Sequence, residues 1–508
     1  MTLLNIVPVT LAATFLNQLA TITTLAALPC QTLHQQILER IALFLAQPLT
    51  PQATCNFEND LRQLLDNCGR LILEATFNHI EPELPSDAPK HTECDGLNYC
   101  RKNQKSPNRG GIATLFGTIQ LQRCLYEPLQ EARDDEKSAF APLELNLGLV
   151  ANNATPALAE RVGILASQHP QQTVLDILQH DYHVSWSVSV LRKVTAAVSE
   201  GIAAHVQAAR RKRLLQWLAT ATARRGRRRV VLCVGRDGIM LPLRGVKTYK
   251  EGSVATLAVL DRRGRRLGTI YLGEMPEPYQ QTLSATLTEL LQEVLRAWDG
   301  PCPRLVYVTD AGYHPTVYYD EVLKHLEHPR HPGQVLEWTR VVDFYHASSY
   351  LSKLAEVLFG EGKVRQAWAR RMRHWLLEAE HGLFRVLHSA ASYRSQQVLD
   401  PKAEKSYEEA YNYLLKYGEW MAYAQYRRQG LPIGSGVTEA GCKIVFTQRF
   451  KESGMTWGQA GGEVILRLRL VELSGLWDEV YQDYLRDRPV VALKTRYASS
   501  GQTHENVA

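Results

Sequence analysis

The sequence predicts an α/β protein whose core is a mixed five-stranded sheet in the strand order 3-2-1-4-5, with an all-α insertion and mostly α-helical domains before it. Between residues 230 and 343, the hydrophobic pattern predicts three strands joined by short connections, then two strands that each follow a helix. From residue 351 to residue 429 the pattern is helical. Before residue 85, and again from residue 145, apolar residues recur at helical spacing.

The first two predicted units precede the sheet. At 508 residues the chain is too long for one ordinary core, and we expect roughly three or four folding units. Residues 1–85 are predicted to form a helical N-terminal domain. Residues 86–144 are rich in Pro, Asp, Asn and Gly, which predicts a loop-rich connector or a small β module.

A helix-turn-helix-like DNA-binding domain is predicted over residues 145–204. Its three expected helices cover residues 156–168, a segment opened by Pro170, and a segment from Ser185 to about Glu200. A basic linker is predicted over residues 205–229.

Clustered cations suggest a polyanionic partner. No Asp or Glu lies between Gly201 and Arg236, whereas nine Arg and Lys residues crowd the same stretch. Such a cluster suits nucleic acid, although a solvated helix face or linker is the alternative. The predicted DNA-contacting residues are Arg192, Lys193, Arg210, Arg211, Lys212, Arg213, Arg224, Arg225, Arg227, Arg228, Arg229, Lys443, Arg449 and Lys451.

The first part of the core is predicted over residues 230–350. Its strands are expected at residues 230–243, 253–260, 267–272, 304–309 and 335–342, and its helices at residues 283–295 and 317–326. Three antiparallel strands followed by βαβ crossovers form the ribonuclease-H-like (RNase H-like) order. Parallel units of this kind bind ligands at the carboxyl ends of their strands.

The remaining chain is predicted to be helical. Residues 351–429 form the all-helical insertion, with Trp368, Met372, Trp375 and Leu376 in its core. Residues 430–485 form the C-terminal helices of the core, and residues 486–508 a flexible tail. The stretch GLPIGSG at residues 430–436 permits a sharp entry into a helix, which Ser435 or Thr438 is expected to cap.

Cysteine usage and hydropathy predict a cytoplasmic protein with reduced thiols. The nine cysteines contain no CxxC pair, and no segment reaches the uninterrupted apolar length of a membrane span. Cys94 and Cys100, with His91 and Cys124 nearby, have the wrong spacing for a standard zinc knuckle. We therefore expect no structural zinc.

Three acidic residues occupy predicted positions from which they can converge. Asp237 lies on the first strand, Asp310 ends the fourth strand, and Glu439 lies in the first turn of the helix that returns after the insertion. Each alone is more simply a cap, but three converging carboxylates repel one another. Two Mg²⁺ ions would satisfy them and would support in-line phosphoryl displacement.

The motifs around these residues resemble those of the DDE transposases of bacterial insertion sequences. They are GRDG at 235–238 with MLP at 240–242, VTDAG at 308–312, VDFYHA at 342–347, LPIGSGVTE at 431–439, QRFK at 448–451 and SGMTW at 453–457. The stretch LPIGSGVTE is similar to the C-terminal signature of the Kra-type group. The resemblance covers roughly residues 145 to 475.

This resemblance implies a Mg²⁺-dependent transposase with an RNase H-like core, in which Mn²⁺ can replace Mg²⁺. Asp237, Asp310 and Glu439 correspond to the catalytic, metal-binding triad, and Asp343 with His346 to an accessory motif. The implied reactions are cleavage at transposon ends and joining of the freed 3′-hydroxyl to target DNA. The implied partners are double-stranded DNA and further copies of the chain, in a homodimer or larger synaptic assembly at the bacterial nucleoid, without a membrane.

Alternatives remain open. Asp343 also ends a strand and is a rival of Asp310 for the second carboxylate, but the fourth strand adjoins the first in the expected order. A catalytically silent DNA-binding regulator derived from a transposase is the non-enzymatic alternative. A structure-selective nuclease of the same fold is the other.

Overall fold

The chain divides into two compact units. The computed structural model describes residues 9–94, 96–129 and 139–491. Within these ranges, one unit comprises the residues up to Gly201 together with those from Asp483 onward, and the other comprises Ile202–Gln482. None of the helices in the described ranges is long and apolar enough to cross a membrane.

The N-terminal unit begins with two long helices and a β module. Its elements are α1 (Val9–Ala46), α2 (Pro51–Ile80), β1 (His91–Cys94), β2 (Leu97–Pro107), β3 (Ile112–Thr114), β4 (Gly117–Ile119), β5 (Gln122–Pro128) and α3 (Pro142–Asn146). Thr50 caps α2 by accepting a 3.1 Å hydrogen bond from the Ala53 amide. Strands β1, β2 and β5 form an antiparallel sheet, and β3 pairs with β4. Tyr99, Cys124 and Tyr126 form the small core of the three-stranded sheet.

Three helices occupy the segment predicted to be helix-turn-helix-like. They are α4 (Pro156–Gln168), α5 (Gln171–Tyr182) and α6 (Val188–Ala223). The third helix is much longer than expected, and most of the predicted basic linker at residues 205–229 is therefore helix rather than linker. Ala, Leu, Gln and Arg are strong helix formers, and Leu214, Leu218 and Ala221 continue a buried stripe that the charge count concealed.

The second unit is built on a mixed five-stranded sheet. Its first elements are β6 (Val231–Leu241), β7 (Lys250–Leu260), β8 (Arg266–Glu274), α7 (Gln281–Ala297), β9 (Arg304–Thr309), α8 (Tyr313–Glu321), β10 (Glu327–His328), β11 (His331–Val335) and β12 (Trp338–Val342). The sheet order is β12-β9-β6-β7-β8. The β6–β9 and β9–β12 pairs are parallel, while β6–β7 and β7–β8 are antiparallel. The predicted order 3-2-1-4-5 is confirmed.

Helix α7 shows why its apolar periodicity predicted a helix. Its stripe of Leu283, Leu287, Leu290, Leu291, Val294 and Leu295 is buried along its whole length. The last predicted strand is shorter than expected, because β10 and β11 pair as a separate two-stranded hairpin before β12 begins. Helix α8 begins at Tyr313 instead of residue 317, directly after Gly312 at its N-cap position.

The rest of the unit is helical. Its elements are α9 (Phe344–Phe359), α10 (Lys363–Glu378), α11 (Gly382–Arg394), α12 (Pro401–Lys416), α13 (Tyr423–Gln429), α14 (Gly436–Cys442), a π-helical turn (Lys443–Thr447), α15 (Gln448–Phe450), α16 (Gln459–Leu473) and α17 (Trp477–Arg486). Trp368, Met372 and Leu376 are buried, as predicted for the insertion, whereas Trp375 is half-buried against the same core. Residues 492–508, most of the predicted tail, lie outside the described residues.

The β7–β8 turn is organised by one buried carboxylate. Asp261 accepts 2.9 Å hydrogen bonds from the amides of Arg263 and Arg265 and a 3.1 Å bond from the Arg224 guanidinium. These donors favour the ionised form and hold the pKa of Asp261 below its ordinary value of 3.8, even though burial opposes them.

Replacing Asp261 by asparagine is expected to lower the melting temperature at pH 7. A depressed pKa in the folded state means that the stabilisation is complete above pH 3.8 and is lost as the pH falls through the folded-state pKa. The difference between wild type and Asp261→Asn should therefore be largest near neutrality and shrink below about pH 4. Thermal unfolding from pH 3 to 8 measures it, with Glu361→Gln, an exposed carboxylate in the same unit, as the control. A constant difference across this range would contradict the assignment.

Candidate active site

Asp237 and Asp310 lie at the same level of two adjacent parallel strands. The last pair of the β6–β9 ladder joins Gly235 to Val308, so each aspartate lies two residues beyond that pair. Neighbouring strands run about 4.8 Å apart. The structure therefore brings the two aspartates side by side at the carboxyl edge of the parallel strands.

Strand alternation decides which way Asp237 points. Gly235 and Asp237 share one face of β6, and Arg236 between them belongs to the other face. On that other face Arg236 is buried, and its guanidinium donates 2.9 Å hydrogen bonds to Ser284 and Gln280 at the start of α7. Asp237 is left facing away from α7.

Helix α14, which carries Glu439, packs over the Gly235 face. The hydroxyls of Thr438 and Thr256 are 2.7 Å apart, which ties α14 to β7. A Cβ atom on Gly235 would lie 1.9 Å from the Thr438 hydroxyl oxygen, so only glycine permits this approach. Glu439 follows Thr438 in the first turn and is exposed. The chain thus holds an accessible carboxylate beside the face that Asp237 occupies.

Asp343 lies one strand farther out and is fully engaged. It is 3% exposed, and its amide donates to the Thr309 carbonyl at 2.8 Å. One carboxylate oxygen accepts from the His346 amide at 2.8 Å, and the other accepts from both the amide and the hydroxyl of Ser435. Ser435 occupies the N-cap position of α14, as predicted, but neither its side chain nor that of Thr438 makes a capping hydrogen bond. Asp343 instead caps α9 and clamps the loop that leads into α14.

The electrostatics of Asp237 reflect its acidic neighbours. Burial and then the negative charge of Asp310 raise its pKa to about 6, and Glu439 adds a smaller effect in the same direction. The Gly238 amide, at 2.8 Å, and the Cys442 thiol donate hydrogen bonds that partly oppose this rise. Cys442 was not among the predicted site residues. It lies one helical turn after Glu439, and this spacing alone could have identified it from the sequence.

The donor set of the three carboxylates suits a hard divalent cation. Mg²⁺ is typically bound by one or two carboxylates together with substrate phosphate oxygens, rather than by a cage made of protein alone. In the described part of the chain, no three His, Cys, Asp or Glu side chains form a group that could hold a metal by themselves. The carboxylates of Asp237, Asp310 and Glu439 could therefore hold a divalent cation only together with oxygens from outside the protein.

The accessory residue His346 belongs to an aromatic cluster. Its ring lies 5.3 Å from the Tyr350 ring and 5.6 Å from the Tyr413 ring, and the two tyrosines stack at 3.8 Å. The Tyr413 hydroxyl donates a 2.8 Å hydrogen bond to the Asp310 carbonyl. Helix α12 of the insertion thereby supports the segment that carries Asp310, a long-range contact for which the sequence contains no local signal.

A fourth carboxylate lies near the triad. Glu251 is opposite Met240 in the β6–β7 ladder, and its side chain lies 3.6 Å from His314 in the first turn of α8. A Cβ atom on Gly238 would lie 1.8 Å from the Glu251 carboxylate. The pairing register, which the sequence does not reveal, brings Glu251 next to the residue after Asp237.

Three of the predicted DNA-contacting cations are not fully exposed: Arg449 is buried, and Arg210 and Arg213 are half-buried. Arg449 is 1% exposed, its guanidinium lies 4.9 Å from the Trp457 ring, and burial lowers its pKa to about 10. The π-helical turn Lys443–Thr447 precedes it and changes which residues of the following helix face inward. Arg449 is therefore a buried cation in this structure, and its contact with DNA stays a prediction.

Arg210 lies beside acidic residues of its own unit. It is only partly exposed and lines a cavity of about 540 Å³ together with Glu274 and Glu463. Burial lowers the pKa of Arg210 to about 10 and raises that of Glu274 to about 7. Lys212 and Arg213 pair with Glu479 at 2.6 and 3.9 Å. Exposed side chains are retained by Arg192, Lys193, Arg211, Lys212, Arg224, Arg225, Arg227, Arg228, Arg229, Lys443 and Lys451.

Comparison with known proteins finds one distant relationship to describe. The sequence is 22% identical over 382 residues to the "UPF0236 protein in vanSb 3'region" of Streptococcus gallolyticus, which covers 73% of this chain and 74% of that protein. No protein-family profile matches the sequence. The name of the relative states no activity, so this comparison supports distant homology over most of the chain and nothing about chemistry.

Proposed function

We propose that the protein is a Mg²⁺-dependent DDE transposase with an RNase H-like core. It would bind the ends of its insertion sequence, cleave a DNA strand there and transfer the freed end to target DNA. The observation that carries this proposal is the side-by-side position of Asp237 and Asp310 beneath the helix that bears Glu439. Catalytic carboxylates at the carboxyl edge of parallel strands fit phosphoryl transfer to DNA.

The chain's own groups hold and orient this site. Asp237, Asp310 and Glu439 would hold the metal ions through their carboxylate oxygens. The Gly238 amide and the Cys442 thiol fix the Asp237 carboxylate, and the Gly312 amide fixes Asp310 through a 2.8 Å hydrogen bond. Mg²⁺, for which Mn²⁺ can substitute, supplies activation of the attacking oxygen and stabilisation of the leaving oxygen when bound.

One site is sufficient for both reactions. In cleavage, a water oxygen forms a bond to phosphorus and the bond to the 3′-oxygen breaks, which leaves a 3′-hydroxyl and a 5′-phosphate. In joining, that 3′-hydroxyl attacks a target phosphodiester and displaces the target's 3′-oxygen. Each step exchanges one phosphorus–oxygen bond for another, so neither needs a redox cofactor or a covalent enzyme intermediate.

The direct test uses purified full-length protein and a labelled duplex from the end of the element. Inverted repeats that bracket the gene identify this end. We expect nicking and joining with Mg²⁺ or Mn²⁺, and neither with EDTA. Binding without nicking under any metal would favour the regulator, and cleavage without joining would favour a nuclease of the same fold.

Asp343 is expected to position the site rather than to bind metal. Its carboxylate is filled by hydrogen bonds from His346 and Ser435. Asp343→Asn or Ser435→Ala should loosen the entry to α14 and reduce the rate of strand transfer by about 10- to 100-fold, while the Mg²⁺ concentration at half-maximal rate stays within about twofold. Metal titrations of the two variants measure this.

A defined result would contradict this role of Asp343. If Asp310→Asn retained full strand transfer while Asp343→Asn lost it, Asp343 would be the second carboxylate of the triad. A strong increase in the Mg²⁺ requirement of Asp343→Asn would point the same way.

A further inference from the structure

Nine arginines form a patch at one end of the sheet. Five follow α6, and four belong to the turn between β7 and β8 and the start of β8. They are Arg224, Arg225, Arg227, Arg228, Arg229, Arg262, Arg263, Arg265 and Arg266, and all of them are exposed. We refer to these nine residues as the arginine patch. The four arginines of the β7–β8 turn were not among the DNA-contacting residues predicted from the sequence, because only the tertiary structure brings them close to the first five.

Backbone contacts hold the two segments together. The Arg228 amide donates to the Arg262 carbonyl at 3.1 Å, and the Arg263 side chain donates to the Arg225 carbonyl at 3.1 Å. A Cβ atom on Gly226 would lie 2.1 Å from the Arg262 carbonyl oxygen, so a glycine is required at this approach. The patch is therefore built on fixed backbone and not on two independent loops.

The charge of the patch is poorly balanced. Among the described residues, Arg224 is the one member of the patch that forms an ion pair, with the buried Asp261. Like charges gathered on one surface repel each other, and bound anions would offset this repulsion. Arginine suits phosphate in particular, because its planar guanidinium can donate two parallel hydrogen bonds to phosphate oxygens.

The patch is remote from the carboxylates. The turn follows Leu260, which pairs with Val231 at the start of β6, whereas Asp237 pairs with Val254. Six residues of strand span about 20 Å, and the same length of B-form DNA contains about six base pairs. A duplex phosphate at the patch therefore cannot be the phosphate that is cleaved.

We propose that the arginine patch is a second phosphate-binding site, which holds the backbone of duplex DNA about six or more base pairs from the cleavage position. This inference rests on the proposed function for its choice of DNA as the polyanion. The patch would secure the DNA in register and leave base recognition to other residues, since phosphate contacts carry no sequence information by themselves.

The test neutralises the four hairpin residues together. The variant Arg262→Gln/Arg263→Gln/Arg265→Gln/Arg266→Gln is compared with a version in which the same four positions become lysine. The matched control is Lys363→Gln/Arg370→Gln/Lys402→Gln/Lys405→Gln, which removes equal charge from exposed positions of α10 and α12. Fluorescence anisotropy measures the affinity for a 30-base-pair duplex between 50 and 300 mM salt.

We expect the glutamine variant to bind at least about tenfold more weakly near 150 mM salt, with the slope of log K against log salt reduced by roughly 2 to 4. The lysine variant and the control should stay within about threefold of wild type. Hydroxyl-radical footprints should lose protection about six or more base pairs from the nick and keep it at the nick.

Each remaining outcome overturns a defined part of the inference. If the glutamine variant and wild type had the same duplex affinity and the same salt dependence, the patch would not be a DNA-binding site, even if wild type nicks DNA. Equal losses in the control would show a general charge effect instead of a site. If double-stranded RNA of equal length displaced the duplex more strongly than unlabelled DNA does, the partner of the patch would be RNA instead of DNA. If wild type neither binds nor nicks the duplex, the proposed function fails as well.

Discussion

Asp237→Asn is expected to abolish Mg²⁺-dependent cleavage and joining, with rates at least about a thousandfold below wild type, or roughly 4 kcal/mol of added barrier. Asparagine keeps the shape of the side chain and an oxygen for the 2.8 Å hydrogen bond from Gly238, but it removes the charge that would be shared with Asp310 and Glu439. Single-turnover assays on a labelled element end measure the effect, and Asp310→Asn and Glu439→Gln should behave alike.

The same substitution should leave the protein folded. Burial, together with the negative charges of Asp310 and Glu439, raises the pKa of Asp237 to about 6. An asparagine there removes a charge that the metal-free protein holds unfavourably, so the melting temperature in EDTA at pH 8 should be equal to or above that of wild type. Duplex affinity should also be retained.

The matched control is Glu408→Gln, an exposed carboxylate on α12, which should leave the rate unchanged. Wild-type nicking by Asp237→Asn would remove this residue from the active site. Loss of folding or of DNA binding in this variant would contradict the assignment of Asp237 as a residue that acts in chemistry alone.

Gly235→Ala is expected to produce the second large effect, through geometry instead of charge. The added methyl carbon would lie 1.9 Å from the Thr438 hydroxyl oxygen and 3.1 Å from that of Thr256, so α14 has to move away from β6. Glu439 is the next residue after Thr438 and would move with the helix. A displacement of about 1 Å can reduce the rate about a hundredfold, and overpacking of this kind destabilises by roughly 1–3 kcal/mol.

A double variant separates geometry from simple loss of stability. Thr438→Ala removes the closest clashing atom, so Gly235→Ala/Thr438→Ala should recover part of the lost rate relative to Gly235→Ala. Gly461→Ala on α16 is the control, because a Cβ atom there meets nothing within 4 Å. If Gly235→Ala cleaved at the wild-type rate, the close packing of α14 on β6 would not position Glu439.

The periodic burial of apolar side chains explains which parts of the fold could be predicted from the sequence. The apolar stripe on α7 identifies a helix, because its repeat places apolar side chains on one helical face. The short apolar run of β7, which is buried at eight consecutive positions, identifies a strand. The order of strands then follows from short connections and right-handed crossovers, and the observed order β12-β9-β6-β7-β8 agrees with it. Asp237, Asp310 and Glu439 could be singled out because they lie on a predicted strand, at the end of a predicted strand and in a first helical turn, respectively.

Charge and polarity were poorer guides to position. Arg449 is a cation in a predicted DNA-contacting run, yet it packs under Trp457, because a π-helical turn alters the phase of the chain before it. Arg210 lies on a basic stretch, yet it shares a cavity with Glu274. The stretch predicted to be a linker is helical as far as Ala223. Burial of a charged side chain depends on which partner reaches it, and no local pattern contains that information.

One physical cause explains why the secondary structure could be predicted from the sequence and the long-range contacts could not. Side-chain periodicity is a property of each segment alone, so secondary structure, strand order and the three candidate carboxylates follow from the order of residues. Four contacts pair residues between 34 and 205 positions apart. They are the clamp of Asp343 on Ser435, the thiol of Cys442 on Asp237, the support of Asp310 by Tyr413, and the joining of the arginines in the β7–β8 turn to those after α6. Such pairs form only when packing of the whole unit closes the long loops between them, and that closure follows from three-dimensional packing and not from any single stretch of sequence.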